Sequence, residues 1–313
     1  MVTEYHLNLG PSDTLEALVH HISHISGMKS SEKRETILEF LHKCEDKKVL
    51  TMKRTLTKNV PYRLQAPFFQ TLRGNTEWKV PEKEIVEKIR QEERLIYYIS
   101  ELAGMESQIE IQDEWFQYLL ENQEIILGWI HFNMITYLQR RNPNVPGISD
   151  KLKAPQERKL EKVKKYWNLI ASIKPIKEIY GNNIITPKDI SIDHFIPWSY
   201  VANDELWNLH PTTRTINSSK SNNLPDWDIY FQSLSKIEFA AYKLVWEHEK
   251  IHDAFDKCVR EHINSADVQY KLYRQGVDFQ EFTCNLEEIM HPIYQAAQNV
   301  GFRRWKYDIC KEG

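Results

Sequence analysis

Between Ile192 and Pro225 the chain reads IDHFIPWSYVANDELWNLHPTTRTINSSKSNNLP, and this stretch constrains the fold more than any other. An apolar strand runs into Asp193-His194, and a loop of about a dozen residues follows. Trp207-Asn208-Leu209 resumes a strand, and a short helix then carries Asn217 and Lys220 until Pro225 stops it. The predicted order is ββα. A carboxylate and an amide oxygen are the hard ligands that Mg²⁺ prefers, and an adjacent imidazole, with an ordinary pKa of about 6.5, accepts a proton from water at neutral pH. These are the parts of a one-metal phosphodiesterase. Consecutive strand residues point to opposite faces, so Asp193 and His194 serve one centre only where the strand ends and the chain turns.

The surroundings are helical in pattern. Apolar residues recur every three or four positions through the first third of the chain. Asp13 and Glu16 have capping-box spacing, and Gly27 is placed to stop a first helix. A second helix is expected over Glu32 to Cys44, and Thr55 to Gln70, with two prolines and no period, is expected to be an ordered connector. Longer helices are expected over Glu82 to Ala103 and Asp113 to Arg141, the second buried because it is rich in aromatics. Pro143, Pro146 and Gly147 then mark a boundary. A basic helix over Pro155 to Ile173 leads into IKEIYGNNIITPKDISIDHFIPW, whose short β-branched runs around a Gly-Asn turn predict a hairpin. After Pro225 helix resumes, with Ser235 and Glu238 as a capping box and one stripe from Ile237 through His248 to Cys258.

The 192–225 segment resembles the HNH endonucleases, or ββα-metal nucleases, in their D-H…N…N form. It is most similar to the HNH domain of RNA-guided CRISPR effector nucleases, which place Asp-His, Asn, Asn and Lys-Ser-x-Asn-x-Pro in that order. The steps here are 15 residues from Asp193 to Asn208, 9 to Asn217 and 3 to Lys220. The resemblance covers about 50 of 313 residues, Lys174 to Asp226. It implies that Asp193 and Asn217 bind the metal, that His194 is the general base, and that Asn208 braces the loop by bonding to backbone. Arg214, Asn217 and Lys220 are spaced by three, so Arg214 and Lys220 are expected to reach phosphate oxygens. Many relatives carry paired cysteines around the hairpin for a structural zinc. Here the turn is Tyr180-Gly181-Asn182-Asn183, so no structural zinc is expected, and packing of Ile184, Ile190, Ile192, Phe195 and Trp207 must hold the fold.

In the four widely spaced cysteines, which include no C-x-x-C pair, neither a disulfide framework nor a cysteine-ligated zinc site is readable, and a reducing compartment fits. The net charge is −3, yet Lys151 to Lys177 holds nine basic residues against Glu157 and Glu161 and carries +7, leaving −10 elsewhere. That run is either a solvated helix face or a phosphate-binding one, through Lys159, Lys162 and Lys165. The rival motif is His248-Glu249-x-x-His252, the H-E-x-x-H zinc-peptidase pattern on a predicted helix; Phe255 and Cys258 stand where the metzincin extension needs Gly and His.

The expected fold is mainly α with a small α+β insertion: a helical domain over 1–145, the basic helix and ββα module over 146–228, and a helical region over 229–313. The expected function is an HNH endonuclease hydrolysing DNA, dependent on Mg²⁺ with Mn²⁺ as a substitute, in bacterial restriction or anti-phage defence. The alternatives are an inactive nuclease-like adaptor and, last, a zinc metallopeptidase. A homodimer or a partner subunit of a defence complex is expected. No apolar run approaches the ~20 residues of a membrane span, and the start MVTEYHLNLG lacks a signal pattern, so a cytoplasmic location is expected.

Overall fold

The computed structural model describes residues 7–8, 13–28, 34–57, 64–65, 81–91, 95–152, 160–181 and 183–308. The chain is mainly helical, with a few short strands, and divides into two compact units that meet in sequence between Arg141 and Asn142. No helix among the described residues is long and apolar enough to cross a membrane.

The first unit begins with α1 (Asp13–Ser26), α2 (Arg34–Lys43) and α3 (Lys47–Thr57). Gly27 ends α1 at φ 69°, a left-handed value that a side chain would strain. The capping-box side chains of Asp13 and Glu16 lie outside the described residues, as does most of the connector predicted over Thr55 to Gln70. Helix α4 (Glu82–Gln91) buries Ile85, Val86 and Ile89 against a hairpin of β1 (Tyr97–Glu101) and β2 (Gln108–Ile111). The helix predicted to Ala103 therefore stops early. Tyr97, Tyr98 and Ile99 suit a pleated surface, and pairing with Ile109 to Ile111 overrides the helical period.

The expected single helix over Asp113 to Arg141 is two, α5 (Asp113–Glu121) and α6 (Gln123–Arg141). At Asn122, which separates them, the side-chain amide donates to the same Tyr118 carbonyl that accepts the backbone N–H, and this side-chain bond competes with helix continuation. The expected burial is also wrong: Phe116, Trp129 and Phe132 are more than half exposed.

The second unit runs through α7 (Ile148–Lys151), α8 (Glu161–Ile173), β3 (Ile176–Lys177), β4 (Ile184–Ile185), β5 (Ser191–His194) and α9 (Trp198–Val201). It continues with β6 (Leu209–Thr212), α10 (Arg214–Lys220), β7 (Leu224–Pro225), α11 (Trp227–Glu247), α12 (Glu249–His262), α13 (Ala266–Tyr273), α14 (Phe279–Asn299) and β8 (Arg304–Trp305). Strands β5 and β6 pair antiparallel, with Asp193 opposite His210 and His194 opposite Leu209. One continuous core joins them to the helices: Trp167 of α8 donates from Nε1 to Leu209 O at 3.1 Å, and Trp227 stacks on Phe231 beneath Phe195. Helix α11 starts at Trp227, not at Ser235, because Asp226 and Pro225 end the preceding strand; Ser235 and Glu238 are mid-helix and buried.

Candidate active site

The site is built where β5 ends. Asp193 and His194 are its last two residues, 5% and 4% exposed. Ladder geometry sends them to opposite faces, and each meets a different set of partners. Asp193 lies on the face toward α10 and Tyr180. Lys220 Nζ stands 3.1 Å from each carboxylate oxygen, Tyr180 donates its hydroxyl to Oδ2 at 3.1 Å, and His210 Nε2 is 3.7 Å away. His194 faces the 202–205 loop, with Nε2 2.8 Å from Asp204 Oδ1.

Helix α10 packs its inner face on β5. Thr213 caps it, accepting from Ile216 N, and Asn217 donates its side-chain amide to Ser191 Oγ at 3.0 Å and Ile192 O at 3.1 Å. Lys220 also donates to His194 O at 2.7 Å. It is fully buried, which corrects the expectation that it contacts phosphate. A helix turns about 100° per residue, so each three-residue step drifts by about 60°. Arg214 is therefore exposed, Asn217 half-buried and Lys220 inside. Burial lowers the Lys220 pKa while Asp193 opposes the shift, and an ion pair is the state these contacts favour. Burial pushes neighbouring His210 down to about 4, with Asp193 pulling the other way, so its ring is neutral at pH 7.

Asn208 is fully buried and bridges the turn after His194, accepting from Ile196 N at 2.7 Å and donating to Ile196 O at 2.9 Å. Beside it, the 202–205 loop is tethered to the end of α12. His262 Nδ1 is 2.8 Å from Asp204 O, and Asn264 donates its side-chain amide to Glu205 Oε1 at 2.6 Å. The C-terminal helices thus fix the carboxylate that holds His194.

Glu178 organises the hairpin turn. Its buried carboxylate accepts from Tyr180 N, Gly181 N and Thr212 Oγ1, which ties the turn to β6; burial raises its pKa more than these bonds lower it. Of the predicted packing residues, Ile190, Phe195 and Trp207 are buried and Ile192 partly so, but Ile184 is 68% exposed, pointing outward from a two-residue strand.

Lys162 and Lys165 lie on the exposed side of α8, opposite Val163, Tyr166, Trp167 and Ile170, and Lys162 pairs with Glu261. Lys159 lies outside the described residues. Lys151 is buried, bonding Pro146 O and Tyr200 O, and burial pushes it down to about 8; this part of the basic run is structural. The H-E-x-x-H pattern is split. His248 is extended, at φ −134°, between α11 and α12, so it shares no helix face with His252, which lies 3.6 Å from Asp256. Among the described residues no group of three His, Cys, Asp or Glu assembles that could hold a metal ion.

Asp204, Tyr180, Glu178 and His210 were not singled out from sequence. His210 was in principle findable, because pairing the two strands places it across from Asp193. Asp204 carries no local signal, since its role arises from a loop held by residues nearly sixty positions later.

A β-hairpin delivering Asp-His, followed by a helix delivering Asn to the same strand, defines a ββα nuclease module. Residues 177–226 match the model of the HNH endonuclease family, and the module is of the HNH kind. No curated protein and no solved structure matches the chain.

Proposed function

We propose that the protein is a metal-dependent endonuclease that hydrolyses DNA phosphodiester bonds at the end of β5. One observation carries the reading: Asp193 and His194 end β5 and Asn217 bonds the same strand at Ile192 O, with His194 held by Asp204 and its turn by Asn208.

HNH nucleases are metal-dependent in general. The donors here fit a hard, largely hydrated divalent ion in kind, a carboxylate and an amide oxygen. Of the about four lone-pair directions of a carboxylate, Lys220 takes two and Tyr180 one, which leaves Asp193 one for a cation. Asp193 and Asn217 would hold the ion, Mg²⁺ or Mn²⁺ in its place. Bound there, it supplies Lewis-acid stabilisation of the charge that develops on phosphate and leaving oxygen.

The remaining steps belong to the chain. With Nε2 of His194 bonded to Asp204, we assign the imidazole as the base that takes a proton from the attacking water. Asp204 orients the ring for that transfer. Lys220 fixes Asp193 and the His194 carbonyl together, so carboxylate and imidazole keep one geometry. Exposed Arg214, at the start of α10, is the residue we assign to phosphate contact; Lys162 and Lys165 would add diffuse attraction. We place the enzyme in restriction or anti-phage defence because its module resembles the effector nucleases.

The second reading, a nuclease-like adaptor without activity, is favoured by the Lys220 ammonium on Asp193, which already neutralises the carboxylate. Supercoiled plasmid separates the two. Conversion to nicked circles in Mg²⁺, and none in EDTA, is expected of the nuclease; binding without conversion in any divalent ion would establish the adaptor.

A further inference from the structure

We propose that α6 is a self-association surface, on which a second copy of the chain docks with its own α6 running antiparallel about a two-fold axis near Phe132. The first observation is exposed area. Ile125 is 73% exposed, Trp129 67% and Phe132 67%, and Leu127, Ile130 and Phe116 of α5 are each about half exposed. Ile125, Trp129 and Phe132 share one side of α6 and expose roughly 500 Å² between them, while Leu127 and Ile130 lie on its other side. The largest apolar patch of a monomer is about 300–600 Å² and is often functional, and the polar flanks of the seam supply the rest of the about 800 Å² that a stable interface takes from each partner.

The second observation is charge. From Ile125 to Gln139 the helix has no Asp, Glu, Lys or Arg, a neutral length of about 22 Å. It is bounded by Glu124 at its start and by Arg140 and Arg141 at its end. Such a helix is complementary to itself when reversed. An antiparallel mate brings each Glu124 to the other copy's Arg140 and Arg141 and opposes the helix dipoles, whereas a parallel mate sets like charge on like. Closed two-fold pairing is also the commonest oligomeric arrangement.

The third observation is spacing. Ile125, Trp129 and Phe132, separated by four and three residues, form one seam along α6. Gly128 stands next to it, and nothing lies within 4 Å of where its Cβ would be, so a bulky side chain from the mate can approach the backbone closely. A register centred on residue 132 sets Phe132 against its mate and Glu124 beside Arg140.

Sedimentation equilibrium of the full chain tests this. A two-copy mass is expected at micromolar concentration, and Trp129→Asp with Phe132→Asp should yield a monomer of unchanged helix content. Because that variant risks misfolding, charge reversal provides a second arm. Glu124→Arg should weaken association about tenfold, and Arg140→Glu with Arg141→Glu added to it should restore it. A wild-type chain that stays monomeric at tens of micromolar overturns the proposal. So does a dimer indifferent to the aspartates, or one that the triple reversal fails to restore.

Discussion

Replacing Lys220 with methionine keeps the length of the side chain and removes its charge. The ammonium lies 3.1 Å from both Asp193 oxygens and 2.7 Å from His194 O, and both charged groups are within 5% of full burial. Removing one partner of a buried pair costs about 3–5 kcal/mol, since the remaining charge is left uncompensated. Tyr180 stays on Oδ2, so the lower part of that range, about 3 kcal/mol, is expected at pH 7. Removing both charges, in Asp193→Asn with Lys220→Met, should recover most of the loss; the cycle isolates the pair. Urea unfolding followed by fluorescence of buried Trp167, Trp207 and Trp227 measures both. A lysine that touched phosphate would behave in the opposite way. Stability would hold within about 1 kcal/mol, and the slope of log K against log salt for DNA binding would fall by about 0.9. That outcome would refute a positioning role for Lys220.

Three further substitutions probe other parts of the unit. Asp204→Asn keeps a polar partner for His194 but no charge, and should lower kcat about 10- to 100-fold with KM unchanged, as loss of an orienting partner does; single-turnover cleavage reads it, and an unaltered kcat counts against the dyad. Asn208→Ala strands the buried N–H and C=O of Ile196 and should cost about 2–4 kcal/mol in the same urea melts. Glu238 is buried and burial pushes its pKa well above the ordinary 4.5, so the native state holds a proton that the unfolded chain releases. Stability should therefore fall as pH rises above about 4.5, and Glu238→Gln should remove that fall, melting with wild type at pH 4 and above it at pH 8.

What was legible in the sequence is the chemistry that repeats at fixed spacing. Asp193, His194, Asn208 and Asn217 announce themselves by residue type and interval, and the ββα order follows from β-branched runs and the Pro225 stop. Lys220 was legible as a member of that set but not in its direction, which depends on how far α10 rotates over two three-residue steps. Glu178 and Asp204 were hidden because their partners, Thr212 and His194 for instance, are set by tertiary folding and have no fixed offset. The aromatics of α6 misled for a different reason. Composition says that such side chains need cover, but does not say whether the chain's own core supplies it.

The assignment of the reaction to the end of β5 is tested most directly by the cleavage rate of His194→Ala at saturating Mg²⁺, beside calorimetric binding of Mn²⁺. A loss of at least about 100-fold, with metal affinity retained through Asp193 and Asn217, is predicted for a general base. Cleavage at the wild-type rate by a variant of equal stability would contradict it.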